Sequence, residues 1–348
     1  MINFSRCASL ITVMLFAQFT FADAAGLNIS KPWSISKKYT AGDSYMGVIL
    51  RGAVKLRRDQ FNGLAPRELS GLAWDSDEAR LYALSDDGHI VHLRPIFEAQ
   101  MLIGVEILET SRLRDRNGDT LEDEFSDAEG LVALNSRNGT AGDTQLAISF
   151  GQHPRIELHS PDGVFLHPVM LPEALRRRAN SDGENYELEA LTDHPDFGLI
   201  TGPQHPLQSA LGATFSLHSL NGKVWRYTPL DYKYSALVGL ESMRNGDLLL
   251  LERRYSSIFK PVIFALRRLH LTQNNELDAV VSEEVVHFDI KEGWSVDNFE
   301  GVARYEGNGY FLISDDNKSR IQKTLLLYIE INSATAASAA HEGNPGLN

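Results

Sequence analysis

The residues best equipped for chemistry are acids in a repeated setting. Glu129, Glu189 and Glu300 each precede a small residue, Gly130, Ala190 or Gly301, at the head of an apolar run. Asp86-Asp87 and Asp315-Asp316 follow a serine at the end of apolar runs, in the twin stretches Ser85-Asp86-Asp87 and Ser314-Asp315-Asp316. Carboxylates brought together repel one another unless a cation lies between them, and calcium accepts several oxygen ligands in flexible geometry. These seven acids are therefore candidate calcium ligands; the competing possibility is that they cap strand ends and turns. Asp115, Asn117 and Asp119 add side-chain oxygens at alternating positions, as a calcium loop does. The glycine at the fourth position and Ser126 at the twelfth depart from an EF-hand, so the options are a calcium loop of another kind or a solvated acidic loop.

The cationic candidates close apolar runs. Glu252 and Arg253 end the run Leu248-Leu249-Leu250-Leu251, and strand alternation puts them on opposite faces. Beside a metal, Arg253 is suited to gripping a phosphate through two parallel hydrogen bonds; otherwise it makes a strand-end salt bridge with an acid. Arg155 is a second candidate of this kind, and His153 is the best placed of the histidines for general-base work. Chemistry of other kinds has less support. The chain has no Gly-x-Ser-x-Gly elbow, no His-Glu-x-x-His helix and no cysteine cluster, which disfavours a serine hydrolase and a zinc site.

What could bring such distant residues together is repetition. Glu68-Leu69-Ser70-Gly71-Leu72-Ala73 leads through a polar turn to Leu81-Tyr82-Ala83-Leu84-Ser85, and the same pattern recurs four times. Taking Gly71, Gly130, Ala190, Gly239 and Gly301 as equivalent, the copies fall 49 to 62 residues apart. Short apolar runs joined at Asn-Gly and Asp-Gly signals favour hairpins, and a repeat of this length holds about four strands, one propeller blade. We expect an all-β chain forming a single β-propeller. Six blades are preferred, the sixth built from the sequence before Glu68 and the final Lys323–Glu330 run, with five as the rival. In a propeller the innermost strands line one axis, so Glu129, Glu189 and Glu300 should converge there. Pro172–Ala179 is the main helix candidate.

Composition narrows the setting. With 348 residues and a formal charge of -13, the chain can bury a large core but lacks the basic surface that nucleic acid requires. Residues 1–24 read as a secretory signal peptide: Arg6, the apolar run Leu10–Ala17, then Ala22-Asp23-Ala24 before the expected cleavage. Cys7, the only cysteine, precedes that run, so the mature chain should enter an oxidising compartment without disulfides. The expected layout is a signal peptide over 1–24, an irregular leader over 25–40, the propeller over 41–332 and a disordered tail over 333–348. No transmembrane segment is expected in the mature chain, which is read as a periplasmic or secreted monomer acting on a small molecule.

The ordered motifs resemble the phytase-like family described by esterase-like activity. Its carriers run from Leu50-Arg51-Gly52-Ala53-Val54-Lys55-Leu56 through Leu69–Ala73, Tyr82–Gly88, Asp127-Ala128-Glu129-Gly130-Leu131, His153-Pro154-Arg155-Ile156 and Leu250–Arg253. The most specific is Asp297-Asn298-Phe299-Glu300-Gly301 with Ser314-Asp315-Asp316-Asn317. The resemblance spans about Gly47 to Asn332 and implies an exported propeller hydrolysing phosphoric or carboxylic esters. The Glu-Gly pairs are also similar to those of gluconolactonase-type propellers, where a glutamate at the channel mouth helps bind a divalent metal. Three classes follow: a calcium-dependent phosphoric ester hydrolase, a calcium-dependent lactonase or carboxylesterase, and a propeller that binds a partner without turnover.

Overall fold

The computed structural model describes residues 26–176, 187–205, 214–231, 233–255, 262–271 and 279–332. The signal peptide and tail expected from sequence lie outside them. Five sheets of antiparallel strands stand around one axis. From axis to rim, blade one is Leu69–Asp75, Arg80–Ser85, His89–Glu98 and Met101–Arg112. Blade two is Ala128–Leu134, Gln145–Phe150, Arg155–His159 and Phe165–Val169. Blade three is Ala190–His194, Gly198–Gly202, Phe215–Ser219 and Val224–Tyr227, with the short parallel strand Ala279–Val280 outside. Blade four is Ser235–Ser242, Leu248–Arg254, Ile263–Leu269 and Ser282–Asp289.

Blade five corrects the preferred count of six. Its inner strands Asn298–Arg304, Gly309–Asp315 and Leu325–Ile331 are completed by Val48–Leu56 and Ser30–Pro32 from the other end of the chain. The sequence before Glu68 therefore supplies the rim of the fifth blade and no sixth. Leu27–Asn28, just before Ser30, pairs instead with Met101–Arg112 of blade one, so the leader stitches the first and last blades together. Of the helix expected over Pro172–Ala179, one turn forms at Glu173–Arg176, and residues 177–179 lie outside the described ones.

Each blade is covered on both faces by its neighbours, which is why runs such as Leu248-Leu249-Leu250-Leu251 show no polar alternation. The apolar side chains sort into clusters between adjacent blades. Tyr82, Leu84 and Phe150 lie between blades one and two, and Phe215, Trp225 and Leu250 between three and four. Leu72, Phe311 and Leu326 close the last interface, between blades five and one.

At the axis the inner strands approach so closely that side chains must be omitted. A Cβ on Gly71 would stand 2.7 Å from the Glu129 carbonyl oxygen, and one on Gly239 the same distance from that of Glu300. One on Gly301 would lie 2.9 Å from the carbonyl of Ser70, so the contact passes round the ring and returns to blade one. Beyond these glycines Leu72, Leu131, Leu191, Leu240 and Val302 close the centre. The remaining channel holds about 10 Å³, the lower limit for a single water. The propeller thus has two separate mouths.

Candidate functional site

All five inner strands begin at the same mouth, with Ser70, Glu129, Glu189, Val238 and Glu300 as equivalent residues. In blades one, four and five this residue is the extra one of a β-bulge: Leu69 and Gly71 pair with Ser85 and Leu84, and Phe299 and Gly301 with Ser314 and Ile313. Blade two has a related shift, with Glu129 and Gly130 opposing Ser149. A bulge re-aims one side chain out of the regular alternation, and here it aims along the axis.

Three of those five positions carry acids, and all are deeply buried: Glu129 is 8 % exposed, Glu189 7 % and Glu300 7 %. Burial pushes the Glu129 carboxyl well above the usual range, and Glu189, Glu300, Asp127 and Glu187 push the same way. Glu189 is raised by burial and by Glu300, although Arg253 opposes the shift. The aspartates at the ends of the second strands close in from the side. Asp86 is raised by burial, then by Glu129, Glu300 and Asp315. Asp315 is pushed up to about 7 by burial and by Glu300. Glu68 rises to about 7 through burial and Asp315, and one oxygen each from Glu68, Asp315 and Asp316 lie within 4.8 Å of one another.

Counter-charge is scarce in this cluster. Arg253 Nη1 donates to Glu300 Oε1 at 2.8 Å and to Asn298 Oδ1 at 2.6 Å. Asn298 Nδ2 donates to the same glutamate oxygen at 2.7 Å, and Gln204 Nε2 donates to Glu189 Oε1. Asp86 Oδ1, however, is buried without a hydrogen-bond partner. Glu129 has no side-chain donor among the described residues. A group of acceptors that the protein leaves unfilled suits a hard cation with oxygen ligands.

The sequence candidates divide accordingly. Glu129, Glu189, Glu300, Asp86 and Asp315 come together, with Arg253 among them. Asp316 adjoins the cluster but is neutralised by Arg58 at 2.7 Å and Arg67 at 3.0 Å, while Asp87 turns outward to Lys318 at 2.7 Å. Glu252 is fully buried against Arg267 and the Leu230 N–H, and none of its bonds reaches the cluster. Arg155 is spent on Glu157, the His153 carbonyl and the Phe125 carbonyl, and His153 lies exposed, stacked on Phe125 at 4.5 Å. Asp115 accepts hydrogen bonds from the Asn117 and Asp119 backbones, so its loop closes on its own carboxylate.

Sequence reasoning missed Glu68, Glu187 and Asn298. It also missed His205, which bonds to the Ser235 backbone and is held low by partial burial and the Arg253 charge. The one available signal was the acid leading Glu68-Leu69-Ser70-Gly71, two residues ahead of the equivalent position.

A family model for phytase-like proteins, described as esterase-like activity of phytase, matches residues 67–318. No curated protein matches the chain. Among solved structures, XC5397 from Xanthomonas campestris, described as a gluconolactonase, superposes with a TM-score of 0.42 at 11 % identity, covering 88 % of this chain and 98 % of that one.

Proposed function

From the chain's membership in the phytase-like family, we propose that the acidic mouth is the active site of an exported, calcium-dependent hydrolase of phosphoric or carboxylic esters. The observation that carries this reading is the unfilled set of acceptors: Asp86 Oδ1 buried without a partner, beside Glu129, Glu300 and Asp315. Glu129, Glu189, Glu300, Asp86, Asp315 and Glu68 would hold the cation. When bound, calcium supplies Lewis acidity, offsetting charge on the ester oxygens and lowering the pKa of a water. Arg253 stands over the same cluster with one of its guanidinium nitrogens committed to Glu300 and Asn298. Its fork is suited to an anionic ester oxygen, and Asn298 sets its orientation. His205, whose pKa is lowered by burial and by the Arg253 charge, is our candidate to accept a proton from a water.

The test is metal analysis of the purified protein, joined to a panel of phosphomonoesters, carboxylic esters and lactones with and without calcium. Calcium-dependent turnover of an ester is the expected result. Turnover indifferent to calcium and to chelation would remove the cation from the mechanism, and no turnover of any substrate would favour a binding module.

A further inference from the structure

We propose that the mouth opposite the acids is a second site, one that binds a phosphate-sized oxyanion. A cavity of about 250 Å³ lies where the inner strands end, lined by Trp74, Asn135, Arg137, Thr192, Glu241 and Arg304 among others. Arg304 closes the inner strand of blade five, and Arg137 lies in the turn after that of blade two. The two meet across the axis, with Arg137 Nη2 donating to the Arg304 carbonyl at 2.6 Å.

Neither guanidinium has a carboxylate within 4 Å among the described residues, in a chain with 46 acids to 33 lysines and arginines. The arginines inside the blades are paired: Arg94 with Glu106, Arg267 with Glu252 and Arg268 with Asp247. Glu241 is the cavity acid whose charge both arginines feel, yet it makes no ion pair with either among the described residues. Glu241 accepts from the Ser242 and Arg304 backbone N–H groups, one at each oxygen, and Asp193 is exposed without an ion pair.

The second observation is independent of charge. Trp74 is 7 % exposed and its indole N–H is buried without a partner, as is Arg304 Nε. Both orphaned groups in this cavity are donors. A buried donor left unpaired costs about 1–3 kcal/mol, and a ligand that offers only acceptors is the kind that suits a lining with two such donors. Tetrahedral oxyanions do this, and the planar fork of arginine matches their oxygens. The closed channel between the mouths makes this site separate from the acidic one.

The experiment titrates inorganic phosphate calorimetrically into the full chain, with chelator present and ionic strength held with chloride. Saturable binding near one equivalent is expected in wild type and in Arg253→Gln. Arg137→Gln, a change at an exposed position that the fold tolerates, should weaken binding at least tenfold while ester turnover is unchanged. Trp74→Phe, which keeps the ring and removes the donor, should weaken it less. Equal phosphate binding in wild type and Arg137→Gln would overturn the proposal. So would no binding in wild type, or a response that chloride reproduces.

Discussion

The two mouths of the axis are built from the same five strands and fail to satisfy opposite kinds of group. At the starting end, bulges turn Glu129, Glu300 and their neighbours inward, and acceptors are left over, Asp86 Oδ1 among them. At the finishing end, Arg137 and Arg304 converge and donors are left over, on Trp74 and Arg304. Elsewhere arginines inside the blades are paired with carboxylates, as Arg267 is with Glu252, although single buried atoms such as Arg267 Nε and Tyr227 Oη also lack a partner. The two proposed sites follow this difference, a cation at the acidic pole and an anion at the other. A common scaffold can therefore carry two sites of opposite charge, because only the strand-end residues differ.

The comparison breaks most readily at the acidic end. The pair Glu129→Gln and Glu189→Gln should lower calcium-dependent ester turnover on the order of 10³-fold, since several kcal/mol of Lewis-acid stabilisation would be lost. Steady-state rates that change less than tenfold would show that these acids do not hold the metal. A smaller loss, roughly tenfold, is expected when Arg253→Lys removes the fork while keeping the charge, and it should fall on phosphoesters more than on lactones. Identical phosphoester rates in the two proteins would return Arg253 to a purely structural ion pair with Glu300.

The smallest effect is on stability, and its sign depends on pH. Glu68 and Asp315 have folded-state pKa values of about 7, above the ordinary 4.5 and 3.8. Their contribution to stability in chelated protein is thus fully present below about pH 4 and lost as pH rises through 7. Chelated protein should melt higher at pH 5 than at pH 8. At pH 8, calcium at a hundredfold excess over its Kd adds about 2.7 kcal/mol, a rise of roughly 4 °C for a domain of this size. A melting temperature that ignores both pH and calcium would mean that the carboxylates are satisfied without a cation.

How much of this was legible depended on whether a feature repeats. The position before the small residue, glycine in four blades and Ala190 in the third, recurs in every blade, so the convergence of Glu129, Glu189 and Glu300 could be read from spacing. Val48–Leu56 carries no mark of its partner, and an isolated strand before the first repeat reads as a new blade when it is the fourth strand of the last. Glu68 and Asn298 enter the site because bulges break the alternation beside them, and no pattern of residue types announces a bulge. Trp74, Arg137 and Arg304 meet only because the ring closes, bringing the end of the first inner strand, the turn after the second and the end of the fifth to one point.

The seam in blade five also governs when the molecule can exist at all. Leu325–Ile331 hydrogen-bonds to Val48–Leu56, and Arg51 reaches Glu330 at 2.7 Å. A chain emerging from its N-terminus can pair one edge of the earlier strand with Ser30–Pro32 at once, but must leave the other open until nearly everything else has been made, an edge that invites mispairing. Contacts of such long sequence separation slow folding, because most of the loop must be ordered before they form. Once made, they join the first blade to the last. Neither mouth should therefore loosen by itself, and loss of the final strand should dismantle both sites together.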